Sequence, residues 1–399
     1  MASLLGPAFV AAVAYVDPGN VAANITAGAR YGYLLVWVLL LANIMAMLVQ
    51  YLSAKLGLVT GESLPDVLGR RMRRGPRIAY WLQAELVAMA TDLAEVIGGA
   101  IALWILFGIP LIWGGVIVGA VSMGLLVVQD RAGAKTFEQV ITAMLVVIAL
   151  GFTVGLFFGE SDWGAAAQGL IPAFEGTETV LLAASMLGAT VMPHAIYAHS
   201  SLVRDRHGSE IERAALPRLL KASRWDVFIS LIVAGSVNMA MLLLAAGNLP
   251  GVPGTDTIEG AHAAIESALG PGIGLAFGIG LLFSGLASTS VGSYSGSVIM
   301  GGLLHFHIPK VLRRLITLIP ALLVIASGVE ATWSLVLSQV LLSVGIPFAL
   351  IPLVSLTSNR ELMGSNANSP RLQAVSWIVV GLIVALNLAL VILVMLGVE

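Results

Sequence analysis

Two short polar interruptions in otherwise apolar sequence contain the side chains best suited to metal chemistry. The first is AYVDPGNVAAN at residues 14–24, and the second is GATVMPHAIYAHS at residues 188–200. Asp17 supplies an anionic oxygen, Asn20 a neutral amide oxygen and Met192 a soft thioether sulfur. Thioether sulfur favours transition metals and contributes little to binding Mg²⁺ or Ca²⁺, which prefer oxygen. The combination predicts a site for a divalent transition metal.

The prolines in both interruptions explain how the backbone could add ligands. Pro18 and Pro193 each lack an N–H and clash with the preceding helical turn, and Gly19 permits unwound backbone. Carbonyl groups freed at membrane depth are tolerated only where they line a cavity or are buried in protein. We therefore expect the carbonyls of Ala14 and Ala189 to contribute to the metal site.

Met192 and His194 each have an alternative interpretation. Methionine often fills gaps in a core, but Met192 directly precedes the Pro193 break, which favours a ligand. Imidazole changes charge near neutral pH, so His194 is predicted to handle protons. A metal ligand or a buried neutral histidine remains the alternative for His194.

The composition excludes a soluble protein and several binding functions. Hydrophobic residues make up 58% of the 399 residues and charged residues 11%, with a mean hydropathy of +0.96. Soluble chains are about 25% charged, so the sequence is typical of a polytopic membrane protein. The net charge is −2 and no basic stripe with aromatic residues is present, which argues against nucleic-acid binding. The chain has no cysteine, which excludes disulfides and thiolate metal sites.

Eleven apolar segments are long enough to be membrane helices. They span residues 5–30, 33–57, 78–107, 110–129, 137–159, 177–203, 225–247, 270–303, 311–328, 331–356 and 372–397. The first contains the Asp17 interruption and the sixth contains the Met192 interruption. The amino-terminal stretch lacks the cationic region of a signal peptide, so the first segment is expected to be retained as a helix.

The positions of lysine and arginine predict the orientation of the chain. Of the 20 basic residues, all except Arg30 lie at the end of segment 2 or in the loops that follow the even-numbered segments. Cytoplasmic loops of membrane proteins are enriched in Lys and Arg. The amino terminus is therefore expected in the cytoplasm and the carboxyl terminus outside.

The two interrupted segments occupy matching positions in two halves of the chain. Segments 1 and 6 each begin a group of five. Because five is odd, the second group starts on the opposite side of the membrane and is therefore inverted relative to the first. Interrupted helices at matching places in inverted repeats indicate a binding site at the membrane midplane of a secondary transporter. The predicted division is 1–160 and 161–357 for the two repeats and 358–399 for the last helix. Two harmless proline kinks are the alternative.

The motifs resemble the signatures of the Nramp family of proton-coupled divalent metal transporters, of the bacterial manganese and iron type. DPGN at residues 17–20 and MPH at residues 192–194 resemble its paired motifs, and TDLAEVIGGA at residues 91–100 resembles its third helix. The resemblance covers essentially the whole chain. It implies an all-α membrane protein of eleven transmembrane helices with the LeuT-type fold, in which two five-helix repeats are inverted and helices 1 and 6 unwind at the midplane.

The resemblance also implies roles for individual residues. The metal ligands would be Asp17, Asn20 and Met192 with the carbonyls of Ala14 and Ala189, and Gln339 would approach the metal when the site is closed. The proton pathway would comprise Asp17, His194, Asp92, Glu95 and Arg314, with Arg314 as a salt-bridge partner. Asp92 and Glu95 are three residues apart and share a helical face. The alternatives are a structural ion pair for these carboxylates and an ordinary basic helix end for Arg314.

The leading hypothesis is a multi-pass transporter of the cell inner membrane that imports Mn²⁺ or Fe²⁺, and also Cd²⁺, together with protons. No catalysis, no cofactor, no nucleic acid and no obligate protein partner are expected; the partners are the metal ions, protons and the lipid bilayer. The alternatives are a sodium-coupled carrier of amino acids or other organic solutes on the same fold, an intramembrane metalloenzyme, and a metal-sensing receptor. The carrier gives no purpose to Met192, and the enzyme would need a further strong ligand.

Overall fold

The computed structural model describes residues 6–395 apart from positions 213, 256, 307 and 330. For residues 332, 333, 336, 337, 339, 340, 343 and 394 it describes the backbone alone. Regular structure within the described residues is helical, and none of it is a strand. The predicted all-α class is therefore confirmed.

The described residues form helices that follow the predicted segments. They are α1 Pro7–Val13, α2 Pro18–Tyr31, α3 Val36–Thr60, α4 Leu64–Arg71, α5 Arg74–Phe107, α6 Leu111–Ala132, α7 Ala134–Thr153, α8 Trp163–Gln168, α9 Gly176–Thr190, α10 Pro193–His207, α11 Leu216–Asn248, α12 Ile258–Leu269, α13 Pro271–Leu304, α14 Lys310–Ala326, α15 Ala331–Ser358, α16 Arg360–Met363 and α17 Pro370–Met395. Three short 3₁₀ turns lie at Ala14–Val16, Val154–Phe157 and Gly364–Asn366.

Segments 1 and 6 are each broken into two helices, as predicted. Segment 1 consists of α1 and α2, and segment 6 of α9 and α10. Within the described part of the chain, 8 helices are long and apolar enough to cross a membrane, and Pro7–Val16 and Val344–Ser358 are shorter apolar helices. The count of eleven transmembrane helices and the division into repeats at 160 and 357 therefore remain predictions.

The largest boundary difference is at segment 7, predicted at 225–247. Helix α11 begins at Leu216, and its added turns contain Arg218, Lys221 and Arg224. Hydropathy underestimates the length of this helix because the polar residues in its first turns lower the mean hydropathy there. The same limit explains why the short helices α4, α8, α12 and α16 were not predicted.

Two buried apolar clusters surround the broken helices. The first combines residues of α1, α2, α7, α10, α11 and α13. The second combines residues of α3, α9, α15 and α17, so the last helix packs against the body of the protein. Both halves of each broken segment are thus held by unbroken helices.

Close glycine contacts bring α5 against the first break. A Cβ atom added to Gly98 would lie 2.2 Å from Cβ of Pro18, and one added to Gly285 of α13 would lie 2.8 Å from Cα of Gly99. Real Cβ atoms do not approach other heavy atoms this closely, so α2, α5 and α13 pack with almost no space between them. The start of α2 is fixed by this contact.

We expect Gly98→Ala to destabilise the protein, because the added methyl group collides with Pro18. Overpacking of this kind costs about 1–3 kcal/mol, and the measurement is thermal unfolding in detergent. Gly124→Ala is the matched control, since Gly124 lies in helix α6 with no heavy atom within 4 Å of its added Cβ. Equal unfolding temperatures for the two variants would contradict the packing described for α5 and α2.

Candidate metal site

The first break consists of one 3₁₀ turn, one extended residue and a new helix. Asp17 has φ −74° and ψ 167°, and α2 begins directly after it at Pro18. The Asp17 carboxylate accepts a hydrogen bond of 2.9 Å from the Asn20 backbone N–H, and so caps α2. Proline suits the first helical position because its missing N–H would have no partner there in any case. The sequence DPGN therefore ends one helix and starts the next.

The second break is built from the same parts. Helix α9 ends at Thr190, and Val191 and Met192 follow in non-helical conformations. Met192 has φ −87° and ψ 130°, and α10 begins at Pro193. Met192 and Ala189 are completely buried.

Asn20 joins the two breaks. Its side-chain amide nitrogen donates 2.8 Å to the Ala189 carbonyl of the second break and 2.6 Å to Asp17 Oδ1 of the first. Thr190 Oγ1 donates to Asn20 Oδ1 at 3.4 Å. Hydrogen bonds thus bring together three of the six predicted metal-site residues, namely Asp17, Asn20 and Ala189. Rotation of the Asn20 amide would present its oxygen to an ion instead of its nitrogen.

Asp17 Oδ2 has no hydrogen-bond partner among the described residues although it is buried, and the whole residue is only 1% exposed. A buried carboxylate oxygen without a partner is unfavourable until a cation or a proton neutralises it. The other carboxylate oxygen already accepts from Asn20. A cation or a proton could therefore be accommodated at the unpaired oxygen, and Asn20, Ala189 and Met192 are neutral groups in the adjoining breaks.

Ala14 and Gln339 are less closely described. Ala14 lies in the 3₁₀ turn of the first break and is buried in the same apolar cluster as Met192. Gln339 belongs to α15, and the structure describes its backbone but not its side chain. Among the residues that the structure describes, no three or more His, Asp or Glu side chains form a metal cluster. The candidate site combines one carboxylate with neutral groups.

Neighbouring helices satisfy the carbonyl groups that the first break exposes. Asn238 of α11 donates 2.7 Å to the Tyr15 carbonyl, and Ser284 of α13 donates 2.5 Å to the Val16 carbonyl. Neither side chain was predicted from the sequence to be a functional residue. Their only signal is that they are polar residues inside predicted membrane segments.

A further polar chain connects the first break to α3 and α10. Gln50 of α3 donates 2.7 Å to the Tyr15 hydroxyl, and its oxygen lies 2.7 Å from Nδ1 of His199. All three side chains are buried. Neither His199 nor Gln50 was predicted from the sequence to be a functional residue.

The predicted proton-pathway carboxylates differ in their partners. Arg314 forms an ion pair with Asp92 and donates 2.7 Å to Ser122, and Thr289 donates 2.7 Å to Asp92. The pairing expected from the family resemblance is present, and Arg314 is buried rather than a surface helix end. Its role in proton movement remains a prediction.

Glu95 and His194 are buried without side-chain hydrogen bonds. Neither carboxylate oxygen of Glu95 and neither ring nitrogen of His194 has a partner among the described residues. Glu95 faces α13 at Gly292, where an added Cβ would lie 2.9 Å from Glu95 Oε2. The backbone of His194 is held by Ser295 of α13, which donates 2.7 Å to its carbonyl. No described group therefore occupies the side-chain oxygens of Glu95 or the ring nitrogens of His194.

A cavity of about 190 Å³ lies apart from the breaks, and none of the six predicted metal-site residues lines it. Its charged lining comes from α4, α10 and α14 and consists of Asp66, Arg204, Asp205, Lys310 and Arg313. These charges are paired with one another or with neighbours; Arg204 bonds to Asp66 at 2.5 Å and Arg313 to Glu85.

Paired helix breaks inside an apolar helical bundle, with a buried carboxylate at their junction, are typical of membrane proteins of the secondary-transporter class. The model of the Nramp family, described as natural resistance-associated macrophage protein-like, matches residues 8–393. The chain belongs to the Nramp family.

Individual relatives agree with this assignment. The chain is 57% identical over 394 residues to the divalent metal cation transporter MntH of Mycobacterium tuberculosis, covering 99% of this chain and 92% of that protein. The structure of the Eremococcus coleocola manganese transporter in complex with an aromatic bis-isothiourea compound matches with a TM-score of 0.88 and 30% identity, over 97% of this chain and 85% of that one. MhsT in complex with L-phenylalanine matches at a TM-score of 0.65 and 14% identity, over 96% and 98% of the chains, which shows a shared fold. The predicted LeuT-type fold is confirmed.

We expect Asp17→Asn to lose metal binding while keeping the helix start. Asparagine caps helices about as well as aspartate, but it carries no charge to offset a buried divalent ion. Removing one partner of a buried charge pair costs about 3–5 kcal/mol, so affinity for Mn²⁺ should fall about 100-fold or more. Calorimetric titration with Mn²⁺ measures this.

Asp17→Ala is the companion variant, since it also removes the cap. It should lose Mn²⁺ binding equally and in addition lower the unfolding temperature, because losing an N-cap costs about 1 kcal/mol. Wild-type affinity in Asp17→Asn would show that Asp17 is not a metal ligand.

Proposed function

We propose that the protein imports divalent transition metals, Mn²⁺ and Fe²⁺ with tolerance of Cd²⁺, together with protons. The observation that carries the proposal is the buried, unpartnered Asp17 Oδ2 at the junction of the two breaks. A cation there would have one charged ligand and several neutral ones. The names of the relatives, a divalent metal cation transporter and a manganese transporter, support this choice of substrate.

The proposed ligands are Asp17, Asn20 and Met192 with the carbonyls of Ala14 and Ala189, and Gln339 would join when the site is closed. All of these groups except the undescribed Gln339 side chain are buried. An ion that enters must therefore exchange most of its water for protein ligands, and helices around the breaks must move to admit and release it. Such movement is alternating access, in which the site opens to one side of the membrane at a time.

Protons would cross by a track that meets the metal ligands at Asp17. Glu95 and His194, whose side chains have no hydrogen-bond partner among the described residues, are the proposed exchanging groups, and the ion pair of Asp92 and Arg314 lies on the same route. Asp17 would link the track to the metal site. Carboxylates at membrane depth commonly mark ion or proton paths.

The proposed setting is the inner membrane of the cell, with the amino terminus in the cytoplasm and the carboxyl terminus outside. The distribution of basic residues supports this orientation. Import then carries metal towards the side rich in lysine and arginine.

The decisive experiment is Mn²⁺ uptake by proteoliposomes with an imposed pH gradient. Metal entry together with acidification of the vesicle interior supports proton-coupled import. Sodium-dependent uptake of an amino acid without Mn²⁺ entry would favour the organic-solute carrier, and turnover of a substrate without flux would favour a metalloenzyme.

The selectivity prediction concerns Met192. Replacing it by alanine makes room for a water molecule and turns the site towards oxygen ligands only, which suits Mg²⁺ and Ca²⁺ better. We expect Met192→Ala to keep appreciable Mn²⁺ uptake, to weaken Cd²⁺ uptake strongly, and to let excess Ca²⁺ or Mg²⁺ compete with Mn²⁺. The measurement is Mn²⁺ uptake with these ions outside.

Met45→Ala is the matched control, because Met45 is equally buried but lies in α3 within the second apolar cluster. It should keep the wild-type ion selectivity. Equal inhibition of wild type and Met192→Ala by the alkaline-earth ions would show that the thioether does not set selectivity.

The proton prediction concerns Glu95. Glu95→Gln keeps the size of the side chain but cannot release a proton, so we expect impaired proton flux while Mn²⁺ still binds. Proton flux is followed with a pH-sensitive dye inside the vesicles, and binding by calorimetry. Glu62→Gln, which changes an ion pair with the exposed Arg70, is the control. Loss of Mn²⁺ binding with intact proton flux would assign Glu95 to the metal site instead.

A further inference from the structure

A proline inside α15 leaves one backbone carbonyl without its helical partner. The N–H of residue i bonds to the carbonyl of residue i−4 in an α-helix, and Pro352, which has no N–H, lies four residues after Phe348. The Phe348 carbonyl is nevertheless paired, because the Tyr80 hydroxyl of α5 donates to it. An external side chain therefore replaces the missing helical donor.

The direction of the next hydrogen bond follows from this one. Tyr80 has a single hydroxyl proton, and the Phe348 carbonyl can only accept it. The Tyr197 hydroxyl, 2.8 Å from that of Tyr80, must then be the donor to Tyr80. Both tyrosines are buried, at 8% and 2% exposure. The result is a directed relay from Tyr197 through Tyr80 to the Phe348 carbonyl.

The relay joins three helices, one of which begins at the proposed metal site. Tyr197 is the fifth residue of α10, which starts at Pro193 directly after Met192. Tyr80 lies on α5 and Phe348 on α15. Helices α5 and α15 are also in direct contact, since a Cβ added to Gly345 would lie 2.5 Å from Val87 Cγ2.

The end of α15 beyond Pro352 is held separately. Asn368 donates 2.9 Å to Thr357 Oγ1 and accepts 2.8 Å from the buried Lys55 of α3. The hydrogen bond from Tyr80 therefore reaches α15 between Pro347 and Pro352, at Phe348. The hydrogen bonds that connect α15 to Lys55 of α3 through Asn368 lie after Pro352.

We propose that Tyr197 and Tyr80 are positioning residues that couple movement of α10 to movement of α15 during transport. The proposal rests on the transport function above. If α15 moved away from Tyr80, the Phe348 carbonyl would be left unpaired in an apolar environment at membrane depth, which is unfavourable. Because Tyr197 of α10 bonds to the same Tyr80 hydroxyl, the relay favours movement of α10 and α15 together with α5. Helix α15 also carries Gln339, a proposed ligand of the closed site.

The first test is Tyr197→Phe, which removes the donor to Tyr80 but leaves the Tyr80 bond to Phe348 in place. We expect the maximal rate of Mn²⁺ uptake to fall about fivefold or more, a typical coupling effect, with KM for Mn²⁺ and the unfolding temperature unchanged. A merely structural role would instead lower the unfolding temperature and leave the rate per folded molecule unchanged.

Tyr51→Phe is the matched control. It removes the same hydroxyl from a tyrosine outside the relay, whose ring lies 5.3 Å from the Arg224 guanidinium. It should transport at the wild-type rate. Wild-type transport by Tyr197→Phe as well would overturn the coupling proposal, whereas absence of Mn²⁺ uptake by the wild type itself would overturn the transport function.

A second test examines the pairing without measuring transport. Tyr80→Phe leaves the Phe348 carbonyl unpaired and should lower the unfolding temperature. In Pro352→Ala, the restored N–H can bond to Phe348, so adding Tyr80→Phe should cost much less there. An equal loss in both backgrounds would show that Tyr80 does not substitute for the missing helical donor, and would overturn the relay.

Discussion

The requirement that backbone polar groups at membrane depth find partners governs the structure around both breaks. Each break frees carbonyl groups, and side chains from helices distant in sequence pair with them: Asn238 with Tyr15, Ser284 with Val16, and Asn20 with Ala189. Once these bonds are made, Asp17 Oδ2 is a carboxylate oxygen of the first break that still has no hydrogen-bond partner among the described residues. The pairing of the backbone carbonyls thus leaves one unpaired carboxylate oxygen, that of Asp17, where the two breaks meet.

Local signals in the sequence were sufficient to find the breaks, and long-range contacts were not predictable. Proline beside a charged or polar residue inside an apolar segment identifies both Pro18 and Pro193 from their own neighbourhoods. Asn238 and Ser284 are separated from their partners by 223 and 268 residues, and nothing local in one sequence indicates such a pairing. The ion pair of Arg314 and Asp92, 222 residues apart, was expected only because of the family resemblance. The early start of α11 was missed because hydropathy does not register its polar first turns.

The position of a proline within its helix decides whether a backbone carbonyl of that helix loses its hydrogen-bond partner. Pro18 and Pro193 stand at the first position of a helix, where an N–H would be unpaired in any case, so neither deprives a carbonyl in its own helix. Pro352 lies inside α15 and removes the partner of Phe348, so a donor from another helix is needed. The prolines at the breaks therefore create helix ends that can hold a ligand, whereas Pro352 creates a contact between helices.

The buried carboxylates Asp17, Asp92 and Glu95 differ in their hydrogen-bond and ion-pair partners. Asp92 is neutralised by Arg314 and accepts from Thr289, so it offers little to a passing cation. Glu95, one turn along the same helix, has no hydrogen-bond partner among the described residues; it faces a glycine of α13 and lies outside the two breaks that carry the neutral groups near Asp17. A divalent ion needs several ligands at once, whereas a proton needs one oxygen. Among the described residues, Asp17 combines an unpaired oxygen with neutral groups from both breaks, which supports the proposal that the metal binds there and that Glu95 exchanges the proton.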